Sequence, residues 1–205
     1  MSGLDAAEMI SVPFDRHREG IPRESLSRSN GNPPRPPALW SHCEVLSSPE
    51  PCYGRYPKGF LAWALKDAGV RGDRVLHVCS GGMSRAESMQ GTRVDIRPAA
   101  VPDVIADGRA LPFRDDAFEA VFLDPPYAVE YAQSFYGVEY PRPSHLLKEA
   151  CRVVQPGGVI GILHYLIPMP PVGAKLVRVV GITQGLGYRI RAWTLYRKEQ
   201  RGLFQ

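Results

Sequence analysis

From Tyr53 onward, short apolar runs alternate with polar turns in a regular order. Gly59 to Ala68 places Phe60, Leu61, Ala64 and Leu65 on one face at helical spacing, which predicts an amphipathic helix. Gly72-Asp73 marks a turn, and Arg74 to Val78 reads as a buried strand ending in the small-residue loop Cys79 to Ser84. A helix is expected from Ser84 through Met89. Strands are expected at Thr92 to Ile96, Val104 to Ala106 and Ala120 to Leu123. His145 to Val153 carries Leu146, Leu147, Ala150 and Cys151 at helical spacing, and Pro156-Gly157-Gly158 is expected to stop that helix before a strand over Val159 to Leu163. Leu176 to Thr183 and Tyr188 to Tyr196 then predict a hairpin about Gly185-Leu186-Gly187. Strands alternating with helical crossovers imply an α/β fold, a mostly parallel sheet with helices on both faces and a terminal antiparallel hairpin.

Residues 1–52 break this pattern. Prolines cluster there, Pro33, Pro34, Pro36 and Pro37 among them, with Arg16, Arg18, Arg23, Arg28 and Arg35 scattered between and little apolar periodicity. The expectation is an extended Pro/Arg-rich arm over 1–52, tracking phosphates, crossing the domain or poorly ordered, followed by one catalytic domain over 53–205. No apolar run reaches the roughly 18 residues of a membrane span, and Met1 to Ile10 lacks the build of a signal peptide. Cys43, Cys52, Cys79 and Cys151 show no paired short spacing, so free thiols in a reducing cytoplasm are expected. His42, Cys43 and Cys52 lack a clear fourth ligand for zinc, and no metal site is assigned. The net charge is +4, and 20 of the 25 basic residues are Arg, a usage that permits phosphate binding and that a GC-rich coding sequence produces equally well.

The chemistry concentrates at strand ends. Asp124-Pro125-Pro126-Tyr127 directly follows Ala120-Val121-Phe122-Leu123 and brings together a carboxylate acceptor, rigid backbone carbonyls and an aromatic face. In open α/β sheets ligands bind at this edge, and these parts suit a flat ring bearing an exocyclic amine; a plain turn after a strand is the simpler alternative. After the first strand, His77-Val78-Cys79-Ser80-Gly81-Gly82-Met83 offers small residues for close backbone approach to a ligand. Asp95, 18 residues beyond His77, stands where an acid accepts from ribose hydroxyls, and Asp107 where one accepts from an adenine amine. Tyr131, Phe135, Tyr136 and Tyr140 form either a lid around a base or the packing face of a helix, and His164 ends its strand at the same edge.

Over about Tyr53 to Lys198, the chain resembles the class I S-adenosylmethionine-dependent methyltransferases, in particular the branch that methylates exocyclic amines of nucleobases in DNA. The most specific match is Asp107-Gly108-Arg109-Ala110-Leu111-Pro112-Phe113 followed by Ala117 to Tyr127; Leu146 to Gly158 and Tyr53-Gly54-Arg55-Tyr56-Pro57-Lys58 match further segments. The resemblance implies a Rossmann-like methyltransferase sheet. It also implies S-adenosylmethionine held by Tyr56, Pro57, Lys58, His77, Cys79, Ser80, Gly81, Asp95, Ile96, Asp107 and Gly108, and a catalytic set of Asp124, Pro125, Pro126 and Tyr127, with Tyr127 stacked on the target base. It points to adenine in DNA before guanine or adenine in RNA; a non-catalytic binding protein of the same fold is a third reading. Two departures stand out: His77 replaces the family's acid while Cys79 and Met83 replace two glycines, and the stretch after the last hairpin leaves no room for a separate target-recognition domain, which points to relaxed specificity or to a protein partner that supplies recognition.

Overall fold

The computed structural model describes residues 54, 56–57, 59–183 and 189–200. The expected arm over 1–52, His42, Cys43, Cys52, Lys58 and the hairpin turn at Gly185 to Gly187 lie outside the described residues. The elements in chain order are α1 (Phe60–Ala68), β1 (Val75–Val78), β2 (Thr92–Asp95), β3 (Val104–Ile105), β4 (Phe118–Leu123), α2 (Val129–Tyr136), α3 (Pro143–Val153), β5 (Val154–His164), β6 (Ala174–Ile182) and β7 (Arg191–Lys198). Seven strands form one sheet in the order β3-β2-β1-β4-β5-β7-β6. β1 to β5 pair in parallel, and β7 runs antiparallel to both β5 and β6. This is the Rossmann-like sheet the element order implies, with the order reversing between β1 and β4, where α/β folds hold ligands.

Two cores explain the placement of the helices. On one face, Phe60, Leu61, Ala64 and Leu65 of α1 pack on Val75, Phe122, Leu163 and Trp193. On the other, Leu146, Leu147 and Ala150 of α3 pack on Leu76, Val121, Leu123, Ile160 and Ile162. Successive β4 residues thus enter opposite cores, which is why this strand reads as an unbroken apolar run. Gly69, in the left-handed conformation, ends α1, and Pro143 opens α3 at a position that needs no amide donor. Among the described residues no helix is long and apolar enough to cross a membrane.

Trp193 shows how tight the first core is. Its ring meets Phe60 and Phe122 edge-on at 5.2 and 5.0 Å, and the outer carbons of its six-membered ring lie against Gly161, where an added Cβ would collide with them. Gly161→Ala is therefore expected to cost about 1–3 kcal/mol of stability, as overpacking of a filled core does. A lowered denaturant midpoint checks this; an unchanged one would mean that Trp193 packs elsewhere.

Two expected elements differ. The helix over Ser84 to Met89 is a set of turns. Ser84 and Glu87 form a reciprocal capping box, with Glu87 N–H donating to Ser84 Oγ (3.2 Å) and Ser84 N–H to Glu87 Oε2 (2.7 Å). Met89 and Gln90 then take positive φ, and β2 begins at Thr92, so the chain has no length for a second turn. The second difference is Pro156-Gly157-Gly158, which does not separate helix from strand. Helix α3 passes directly into β5 at Val154, and the three residues are absorbed as an irregularity where the β4 pairing slips between Phe118 and Ala120.

Candidate functional site

The segments leaving β1, β3 and β4 are each tied to a neighbouring strand, which keeps these strand ends level. Ser80 N–H donates to the Val94 carbonyl (3.0 Å), Ala106 N–H to the Asp95 carbonyl (3.1 Å) and Asp124 N–H to the Val78 carbonyl (3.3 Å). Between these loops lies a cavity of about 610 Å³, its mouth included. Cys79 and Gly81 line it from β1, Asp95, Ile96 and Arg97 from β2, Ala106 to Arg109 from β3, and Asp124 and Pro126 from β4. Gly54, Tyr136, Val138 and Leu146 also line it.

Three carboxylates enter this cavity in three different states. Asp95, only 5% exposed, accepts Gly81 N–H on Oδ2 (2.8 Å) and Arg97 N–H and Nε–H on Oδ1 (2.9 and 3.2 Å). A carboxylate offers about four acceptor positions, so roughly one remains for a ligand hydroxyl. Asp107 is gripped by Arg109 through both oxygens, including Nη2 to Oδ2 at 2.7 Å, and this guanidinium holds its carboxyl below the usual range. Burial pushes Asp124 the other way, up to about 6, against the pull of the Tyr127 hydroxyl and the Arg191 charge. The Cys79 thiol sits among all three acids; burial first, then their charges, drive its pKa upward, so it stays protonated. Cys79 also holds φ 57, a left-handed conformation that explains why glycine is the usual residue there.

Of the expected site residues, Cys79, Gly81, Asp95, Ile96, Asp107, Gly108, Asp124 and Pro126 come together in the cavity wall. His77, Ser80, Pro57, Pro125 and Tyr127 are not part of that wall. His77 is fully buried with Nε2 at 3.2 Å from the Ser88 carbonyl, and burial depresses its pKa to about 4, so the ring is a neutral anchor for the turns at 85–90. Pro57 caps α1 through its carbonyl (2.9 Å to Phe60 N). Tyr56 packs on Phe60 and His77, close enough to Asp124 for its charge to add to burial in raising its pKa.

Tyr127 departs most from expectation. Its hydroxyl donates to Asp124 Oδ1 (2.7 Å), and its ring faces His164 and Tyr165, with centroids 5.5 and 4.5 Å away, in place of an open stacking surface. His164 accepts Leu166 N–H on Nδ1 (3.0 Å), which leaves Nε2 as the protonated nitrogen, and the Pro126 carbonyl accepts from this ring. Among the aromatics after the box, Tyr136 lines the cavity with Arg97 over its ring at 4.7 Å, while Tyr131 and Phe135 pack on each other.

Sequence reading missed Arg97, Arg109, Leu146 and Gly54, and offered Tyr136 as part of a lid or as helix packing. A signal for two of them exists: Asp95-Ile96-Arg97 and Asp107-Gly108-Arg109 repeat one Asp-x-Arg unit, and both fold into the same side-chain-to-backbone turn. The cavity suits a nucleoside. Asp95 keeps an acceptor, Ile96 is 44% exposed beside it, and Gly108 lines the wall at a position where a Cβ would collide with the side chains of Val78 and Leu146.

Residues 67–162 match the family described as a methyltransferase domain. An uncharacterised methyltransferase of Mycobacterium leprae, found alike in strains Br4923 and TN, is 33% identical over 138 residues, which is 67% of this chain and 43% of the relative. The chain thus spans less than half the length of these curated relatives. The crystal structure of TrmN from Thermus thermophilus superimposes with a TM-score of 0.50 at 21% identity, covering 67% of this chain and 48% of that one, a likeness of fold.

Proposed function

We propose that this chain, whose residues 67–162 match a methyltransferase domain, is an S-adenosylmethionine-dependent methyltransferase of the exocyclic amine of a nucleobase, with adenine in DNA the first candidate. The observation that carries this reading is Asp124. A carboxylate at the end of β4 shares one cavity with the nucleoside-type residues Asp95, Ile96 and Gly108.

S-adenosylmethionine, when bound, supplies an electrophilic methyl group; Asp95, Ile96, Gly81 and Gly108 would hold it. The amine of a base is a weak nucleophile because its lone pair is delocalised into the ring. Asp124 Oδ1 is already occupied by Tyr127, so Oδ2 is the oxygen left to accept an amine hydrogen. The carbonyl of Pro125, the next residue in the chain, would be the second acceptor. Two fixed acceptors draw the nitrogen toward tetrahedral geometry and stabilise the positive charge that develops on it. Positioning and electrostatics perform such a transfer without a covalent enzyme intermediate. In a duplex the base must first leave the stack, at a cost of a few kcal/mol.

The His77 substitution does not weigh for a non-catalytic protein, because the side chain points into the core and takes no ligand contact away. Labelled S-adenosylmethionine offered with DNA and with RNA, followed by digestion to nucleosides, tests the proposal. Label in N6-methyladenine of DNA is the expected result. Label confined to RNA would move the substrate, and cofactor binding without label in any base would sink the nucleobase reading.

A further inference from the structure

We infer that Arg191 is a positioning residue for Asp124, acting through the hydroxyl of Tyr127. The inference rests on the function proposed above for the role of Asp124, and on geometry that is independent of it. β7 runs antiparallel to β5 with Ala192 opposite His164, so its first residue, Arg191, reaches the same sheet edge as the box after β4. Arg191 is 8% exposed and its Nη1 donates to the Tyr127 hydroxyl (3.2 Å), which in turn donates to Asp124 Oδ1 (2.7 Å). Among the described residues no carboxylate forms an ion pair with this guanidinium, and Asp124 is an acid its charge acts on.

A buried cation needs compensation, and here it comes through one bridging hydroxyl. That arrangement has three consequences for Asp124. Oδ1 is pinned, so rotation of the carboxyl is stopped and Oδ2 is presented in a fixed direction. The ionised form gains a nearby positive charge, opposing the burial that otherwise favours protonation. Tyr127 is polarised by the guanidinium, which strengthens its bond to the acid. His164 and Tyr165 hold the tyrosine ring from the other side, so the relay has little freedom. The further groups around Asp124 do not substitute for it. Tyr56, the Cys79 thiol and Tyr136 approach from the segment before α1, the end of β1 and α2, and each is itself pushed toward its neutral form.

The test compares Arg191→Met, Arg191→Lys and Tyr127→Phe with the parent protein. Asp124 titration is followed by the carbon-13 resonance of its carboxyl, identified by its loss in Asp124→Asn, and kcat, cofactor affinity and melting temperature are measured alongside. Starting from about 6, the Asp124 midpoint should rise by roughly one pH unit or more in Arg191→Met, since an opposite charge this close is worth that much. A one-unit rise lowers the ionised fraction of Asp124 about twofold at neutral pH and about tenfold near pH 5, and kcat should fall by about those factors, while S-adenosylmethionine affinity stays within about threefold. Arg191→Lys should keep the midpoint near the parent value and restore part of kcat. In a Tyr127→Phe background, Arg191→Met should add little, because the two act in series. An unmoved midpoint in Arg191→Met, or full additivity of the two substitutions, would overturn the inference and leave Arg191 a packing residue. A shifted midpoint in a protein that methylates no base would uphold the coupling and reject the nucleobase substrate.

Discussion

Replacing Asp124 with alanine is expected to lower kcat for methyl transfer by roughly 10²–10³-fold or more, the range seen when one preorganised electrostatic group is removed. Cofactor affinity should change little, because the cavity keeps Asp95, Ile96, Gly81 and Gly108. The same residue sets the pH dependence. In the proposed reaction Asp124 acts as a carboxylate, and burial raises its pKa to about 6. The rate should therefore be full above that value and decline as pH falls through about 6, whereas an unburied aspartate would sustain it down to about 4. Asp124→Asn keeps a carbonyl acceptor and removes the titration, so its lower rate should be flat across the acid limb. Stopped-time assays with labelled cofactor from pH 5 to 8 read both effects. An alanine variant that retains transfer, or an asparagine variant that retains the acid limb, would show that another group accepts the amine protons.

Asp95→Ala is expected to weaken S-adenosylmethionine binding by about 10²-fold, the loss of a charge-assisted hydrogen bond plus the disorder of the loop it holds. The second part comes from inside the protein. Asp95 anchors the Gly81 N–H and both the backbone and side chain of Arg97, and all three are left without this acceptor when it is removed. Stability should fall by about 3 kcal/mol, as for other breaks in a buried, hydrogen-bonded charge pair. Asp95→Asn, which retains one acceptor oxygen, should recover part of the stability but little of the affinity. Calorimetry and thermal melts with and without cofactor separate the two contributions. Cofactor affinity left intact in the alanine variant would place the ribose contact on another residue.

Much of this protein was legible locally. The run Ala120-Val121-Phe122-Leu123 reads as a strand buried on both faces because its side chains alternate between two cores. The helical spacing of Phe60, Leu61, Ala64 and Leu65, and of Leu146, Leu147, Ala150 and Cys151, marks α1 and α3 for the same reason. Where local signals failed, geometry intervened. Ser84-x-x-Glu87 is a true helix start that has no room to continue before β2. His77 stands in a ligand-loop position by sequence, yet on β1 its side chain falls on the core side. Asp107 was read as a free acceptor, and the arginine two places on closes over it.

The sequence by itself determined the order of strands and helices, the position of an acidic box at the end of β4, and the two further acids at neighbouring strand ends. These follow from periodicity and chain order, which are local properties. The tertiary structure decided where the side chains beyond those strand ends point. Tyr127 folds back onto Asp124, and the cation behind it comes from Arg191, whose position is set by the register of β7 against β5. Hydrogen bonds between residues far apart in the chain depend on that pairing and on which core each strand face supplies, and neither leaves a mark within any short window of residues.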